Sequence, residues 1–167
     1  MSEIPAMRRK DRLVTDPEQI YDILSRCDVI RLAMNTGAYP YVIPLTFGCE
    51  LKDGQIVIYF HCAWEGRKLD LLRQDPRVCV EADLYYQVER RGEGSVTAAY
   101  ESVIGTGRVE HLTEQPGKVA ALKCMLSHYK ESGFPVTSCK GLPKVEVFRM
   151  VLEEVTGKRN LPQVAKP

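Results

Sequence analysis

The stretch "YFHCAWEGRKLDLL", Tyr59 to Leu72, gathers His61, Cys62, Trp64, Glu65, Gly66, Arg67 and Lys68 where an apolar run hands over to a helix. If Glu65 and Gly66 open that helix, Arg67 and Lys68 lie in its first turn, where the helix dipole already places partial positive charge. Two cations there oppose the dipole unless an anion sits in front of them. A phosphate would meet free backbone N–H groups, the dipole and both side chains together. Surface Arg-Lys pairs are more often simply solvated, and the spacing alone does not exclude that reading. A lone histidine at a strand end, such as His61, is more often structural than catalytic. Trp64, the single tryptophan, reads more often as core or as cover for an apolar edge than as a substrate platform. Taken together, beside a strand with an internal proline, these residues suit a cleft for a planar, phosphorylated ligand.

Other chemistry-bearing patterns fail. The chain has no GxxxxGK[ST], no HExxH and no GxSxG. "GTGRVEH" begins like a dinucleotide fingerprint but lacks the third glycine. Cys27, Cys49, Cys62, Cys79, Cys124 and Cys139 form no CxxC pair and show no zinc-finger spacing to a histidine, so free thiols and no metal site are expected. The adjacent acids Glu153 and Glu154 read as a solvated face.

The elements that must position this corner follow from periodicity. "DPEQIYDILSRC" reads as a helix with Asp16 as N-cap, Pro17 in the first turn, Gln19 completing a capping-box-like pattern, and Ile20, Ile23 and Leu24 as its apolar stripe. "VIRLAMN" alternates as a strand, and "YVIPLTFGCEL" continues as one β-rich run after a turn. Pro44 within it removes a ladder hydrogen bond, which calls for an edge, a bulge or a backbone turned toward something other than a strand. "KDGQ" signals a type I′ hairpin, which makes "QIVIYFHC" the partner strand. "RVCVEADLYY" and "YESVIGTGRVEHL" are further strands, joined by "QVERRGEGSVTAA" read as a mobile polar loop. Gly105 and Gly107 mark a bulge or a close backbone approach. "KVAALKCMLSHYK" is helical with a stripe of Val119, Leu122, Met125, Leu126 and Tyr129, and "KVEVFRMVLEEVTGK" is a strand ending at Gly157. Five or six antiparallel strands with local connections argue for a small barrel with peripheral helices.

The length of 167 residues suits one domain, with residues 1–12 as a basic lead-in and 160–167 as a tail. A net charge of +1 and a pI near 7.6 give no basic field for nucleic acid. No membrane span or signal peptide is evident, so a cytoplasmic protein with neither nucleic-acid nor membrane partners is expected.

"MRRKDR", "YPYVIPLTFG", "YFHCAWEGRKLDLL", "DPRVCVE", "YESVIGTGRVE" and "VTGK" occur in an order that resembles the pyridoxamine 5′-phosphate oxidase-like flavoprotein superfamily, and within it the nitroimidazole-resistance (Nim-type) branch. The resemblance runs from about Met7 to Asn160. It implies a mainly β fold, an antiparallel Greek-key split β-barrel, in a homodimer with FMN at the subunit interface. By position it implies that Val42, Ile43, Pro44, Leu45 and Thr46 line the isoalloxazine, that Phe60, His61, Cys62 and Ala63 follow it, and that Gly66, Arg67 and Lys68 hold the phosphate. Tyr100, Glu101, Ser102 and Val103 would approach from the partner subunit. His61 would orient a substrate or donate a proton. The implied activity is an FMN-dependent oxidoreductase passing electrons from a small-molecule donor to a small planar acceptor such as a nitroaromatic. A non-catalytic flavin- or haem-binding carrier or sensor is the alternative. Cys62 stands where a small serine is usual. The C-terminal "GKRNLPQVAKP" lacks the Arg/His/Trp-rich segment of true pyridoxamine phosphate oxidases, so vitamin B6 oxidation is not expected.

Overall fold

A computed structural model gives the fold and describes residues 7–162. Residues 1–6 of the basic lead-in and 163–167 of the tail lie outside the described residues; Lys10–Arg12 form a 3-10 turn, followed by a two-residue strand β1 (Leu13–Val14) and helix α1 (Pro17–Arg26). Asp16 caps α1 by accepting from the Glu18 N–H at 3.1 Å. Gln19 does not complete a capping box, because its amide donates to the Asp16 carboxylate instead of reaching back to backbone.

Strands β2 (Ile30–Met34) and β3 (Tyr41–Leu45) form a hairpin, and β4 (Gly48–Lys52) and β5 (Gln55–Ala63) form another. The second turns through Asp53 and Gly54 at φ 51° and 78°, the two positive values a type I′ turn requires. Helix α2 (Arg67–Gln74) leads to the long β6 (Arg77–Arg90) and β7 (Val96–Leu112), followed by α3 (Gln115–His128), two 3-10 turns and β8 (Val145–Asn160). The expected mobile loop after β6 is mostly strand. A bulge at Tyr85/Gln87 resets the register, and pairs such as Glu89↔Thr97 continue the ladder until only 91–95 remain as a turn. β8 likewise runs past Gly157, which pairs with both Val103 and Val14.

The described residues form one eight-stranded antiparallel sheet in the order β3-β2-β6-β7-β8-β5-β4, with β1 on β8. The apolar run read as one strand is split at Thr46–Phe47, and its halves lie at the two ends of this path. Residues adjacent in sequence therefore join the two edges, which closes the sheet into a split barrel. Pro44 sits in β3, which pairs only with β2, so its missing N–H falls on an edge strand.

The barrel interior holds Ile30, Leu32, Ile58, Phe60, Val80 and Met150, all at 2% exposure or less. Ile20, Ile23 and Leu24 of α1 and Leu69 and Leu72 of α2 join the same core. Each contributes about 1.5–3 kcal/mol by leaving water. Helix α3 packs on β4 and β5. It crosses so close to Gly48 that a Cβ there would lie 2.6 Å from the Met125 backbone nitrogen. Gly107 marks the bulge against β8, and a Cβ there would meet the Val151 carbonyl at 2.3 Å.

One charged group is built into the fold. Glu101 is 1% exposed. It accepts from Tyr86 at 2.5 Å and Arg159 at 2.5 Å, and pairs with Arg26 at 2.8 Å. Burial pushes its pKa up, but the hydrogen bonds from Tyr86, Arg26 and Arg159 outweigh this, and the net direction is down.

Two outcomes test these packing arguments. Gly107→Ala is expected to destabilise the fold by about 2 kcal/mol or more, since backbone rather than a flexible side chain blocks the added methyl. Gly133→Ala, with open space around it, should stay within about 0.5 kcal/mol in denaturant melts. A depressed folded pKa means that Glu101 stabilises the protein above its ordinary carboxyl range and loses this as pH falls through the folded value. Glu101→Gln is expected to cost about 3–5 kcal/mol at pH 7 and to flatten the acid limb of stability against pH.

Candidate functional site

The corner between β5 and α2 is made by the change from a two-residue to a helical period. Along β5, Ile56, Ile58 and Phe60 point into the barrel, and His61 and Ala63 are exposed as the strand emerges. Gly66 is the N-cap of α2 at φ 131°, a conformation that favours glycine. No side chain caps this helix end. Leu69 N–H and Asp70 N–H both return to the Gly66 carbonyl, so the N–H groups of Arg67 and Lys68 have no intrahelical acceptor.

The two cations are placed differently. The Arg67 guanidinium lies 4.6 Å from the Tyr41 ring centroid, stacked on β3. Lys68 is half-buried, with its ammonium 6.0 Å from the Phe60 ring and near the Cys62 thiol. Burial lowers the Lys68 pKa, with Cys62 opposing. Burial raises that of Cys62, with Lys68 opposing. Both shifts favour the neutral forms, as expected where a cation leaves water without a carboxylate beside it. Among the described residues neither Arg67 nor Lys68 makes an ion pair, whereas Asp70 and Arg73 of the same helix pair at 3.4 Å.

His61 faces outward, away from Phe60, and borders a cleft of about 310 Å³ beneath α3. Its surface is exposed, and neighbouring residues of the cleft stand around the ring. Burial first, and then the charge on Lys68, push its pKa below the ordinary 6.5. Thr46, from the corner that closes the barrel, lies on the same cleft.

The structure thus brings Thr46, His61, Cys62, Arg67 and Lys68 to one end of the barrel. On β3, Val42 and Pro44 are exposed, while Ile43 and Leu45 turn toward the core, so only backbone and alternate side chains are available on that edge. Phe60 is fully buried and stacks on Phe148 at 5.3 Å. On β7 the alternation divides the expected set. Glu101 and Val103 are buried within the chain, and Tyr100 and Ser102 share the half-exposed outer face with the exposed Ile104. Tyr100 lies near Arg12 and Lys158.

Sequence reasoning missed the cleft. Its signal was present in the α3 stripe, where only Met125 of the five expected positions is buried. Leu122, Leu126 and Tyr129 line the cleft with it instead of sealing a core.

This corner has the donor chemistry of an anion site: an uncapped helix start, two cations without ion pairs, a glycine with open space where a Cβ would point, and an exposed strand edge. No group of metal-ligating residues occurs among the described residues. No helix there is long and apolar enough to cross a membrane.

Residues 16–159 match the family model described as pyridoxamine 5′-phosphate oxidase. A candidate 5-nitroimidazole antibiotic resistance protein of Bacteroides thetaiotaomicron is 26% identical with a TM-score of 0.77, over 87% of this chain and 85% of that one. A FAD-binding protein of Mesorhizobium loti is 25% identical with a TM-score of 0.64, over 89% and 97%. A flavocytochrome of Azotobacter vinelandii, at 18% identity and a TM-score of 0.76 over 97% and 75%, shares the fold. No curated protein matches. With a family match that spans both the barrel and the β5–α2 corner, the chain belongs to the pyridoxamine 5′-phosphate oxidase family.

Proposed function

We propose that the β5–α2 corner binds FMN and that the protein is a flavin-dependent oxidoreductase acting on a small planar acceptor such as a nitroaromatic. The observation that carries this reading is the half-buried Lys68, a cation without an ion pair at an uncapped helix start, next to a histidine that opens onto a cleft. A phosphate there would supply the missing counter-charge to Lys68 and Arg67 and accept from the free N–H groups of the first turn. The β3 edge at Val42–Leu45 offers unpaired backbone groups to a ring system, and Pro44 is tolerated because β3 pairs with β2 alone.

When bound, the flavin would supply the electron-transfer chemistry. The chain's residues bind, orient and exclude water. His61, whose pKa is lowered by burial and by Lys68, would present its neutral ring as a hydrogen-bond donor from one nitrogen and so orient a bound acceptor. Cys62, with its pKa raised by burial, stays a thiol. In a homodimer the outward Tyr100, Ser102 and Ile104 face of β7 would lie toward the partner's cofactor. Vitamin B6 oxidation is not part of this reading. The FAD-binding relative makes FAD the second candidate at the same corner.

Replacing Arg67 and Lys68 together by alanine is expected to weaken flavin binding about 100-fold, the size of two lost charge-assisted contacts, in a flavin-fluorescence titration. Unchanged affinity would mean that the phosphate sits elsewhere. Titrating FMN against FAD in the same assay decides between the two. His61→Ala should keep its flavin and lose about 100-fold in turnover of a nitroaromatic. By NMR the His61 midpoint should lie below 6.5 in the wild type and rise in Lys68→Ala, because a repelling charge has gone.

A further inference from the structure

Charge is unevenly placed along this chain. Residues 115–144 comprise α3 and a strap that turns back at Lys130, at φ 64°, and runs on through 3-10 turns at Val136–Ser138 and Leu142–Lys144. They carry five lysines and one acid, Glu131, a net +4; the whole chain totals +1, so the remainder is −3. Lys118 is committed to the fold, 3.8 Å from Glu146 and donating to the Val145 carbonyl at 3.4 Å. Lys123, Lys130, Lys140 and Lys144 are all exposed. Among the described residues none of these four side chains makes an ion pair or a hydrogen bond. By contrast, Arg31 on the outer face of β2 is held by both Glu81 and Asp83.

The four lysines stand around an apolar surface. Each is the chain neighbour of a residue on the cleft wall: Lys123 follows Leu122, Lys130 follows Tyr129, Lys140 lies between Cys139 and Gly141, and Lys144 precedes Val145. Phe134, on the strap between them, is 49% exposed, and its ring meets no other ring and no cation among the described residues. The nearby acids are Glu131, next to Lys130, and Asp28, whose carbonyl accepts from the Tyr129 hydroxyl at 2.6 Å. Neither pairs with the four lysines, so the face stays positive. The near-zero net charge conceals this local field, which draws anions toward this end of the molecule. The cations are spread along two walls instead of converging on one atom, so they match an extended acidic face and not a single phosphate. An apolar centre inside a charged rim is the make-up of a protein interface, and small, weak ones serve redox encounters.

We propose that this lysine-rimmed face of α3 and its strap docks an acidic electron-carrier protein, with Phe134 at the centre of the contact. The docking follows from the unpaired cations and the exposed ring. The donor role rests on the oxidoreductase reading above, because the same cleft ends at His61 beside the cationic corner. A one-electron carrier is oxidised once per encounter, so two reduced carriers are consumed for each two-electron reduction of the flavin, and the two protons come from water.

The test uses the full-length protein as purified, with its flavin content measured separately, and two probes: an acidic flavodoxin and cytochrome c, a basic carrier. Association is read by surface plasmon resonance, which does not depend on turnover. Flavodoxin association is expected to slow about tenfold or more as salt rises from about 0.01 M to about 0.15 M, because the Debye length shortens from about 30 Å to about 8 Å. Replacing Lys123, Lys130, Lys140 and Lys144 together by glutamine should slow it about tenfold at low salt, whereas replacing all four by arginine should preserve it. Phe134→Ala should speed dissociation about tenfold and leave association nearly unchanged. Flavodoxin binding that survives the glutamine changes would overturn the proposal, as would equally fast binding of cytochrome c. Tighter lysine-dependent binding of a duplex DNA oligonucleotide would also overturn it, by making a nucleic acid the occupant. Lysine-dependent flavodoxin binding without reduction of the flavin-loaded protein would remove the donor role and leave the docking surface. The same binding to a protein that takes up no flavin would sink the oxidoreductase reading alone.

Discussion

The split of one apolar run at Thr46–Phe47 is the constraint on which the barrel and its site both depend. Phe47 is fully buried, and its N–H is held by the Tyr129 hydroxyl at 3.1 Å. Its ring lies against His128, with centroids 4.4 Å apart. A large side chain locked there forces β3 and β4 to leave in different directions and to become the two ends of the sheet. The same residues anchor the end of α3, and Gly48 lets that helix approach the backbone of β4. Closing the barrel, seating α3 and placing Thr46 at the cleft are thus one packing event.

The two treatments of buried charge in this molecule explain where chemistry can occur. Glu101 lies deep in the protein, surrounded by Arg26, Arg159 and Tyr86, and its ionised form is satisfied in place. Such a group stabilises one arrangement and has no capacity left for a ligand. Lys68 is half-buried with a thiol as its partner, and its charged form is disfavoured. The energy withheld there is available to an incoming anion, which separates a binding cation from a structural one.

Several local features were legible because their causes are local. The Asp16–Pro17 helix start and the Asp53–Gly54 turn depend on backbone conformations that few residue types accept, and Gly105 and Gly107 on a close approach that leaves no room for a side chain. The Arg67–Lys68 pair at a helix start was legible for the same reason, since dipole and charge act within one turn. Only the outer end of the β6–β7 hairpin, residues 87–99, was read as a loop, because its polar residues are strand residues on a face that needs no core. Only cross-strand pairing and the bulge at Tyr85/Gln87 keep them extended. The α3 stripe was read correctly as apolar, but periodicity does not report whether such a stripe meets a packed core or a vacant cleft.

By itself, the sequence determined the mainly β class, the antiparallel hairpins, the break in regular pairing demanded by Pro44 and the cationic corner at Gly66–Lys68, because each follows from backbone allowance or from charge within a few residues. Tertiary structure alone decided that the Tyr41–Lys52 run joins opposite edges of the sheet, that Glu101 and Val103 turn inward while Tyr100 and Ser102 turn outward, and that α3 roofs a cleft ending at His61. Those outcomes depend on pairing register and on which faces meet at long range, and the free energy that fixes them is released only when distant segments pack together.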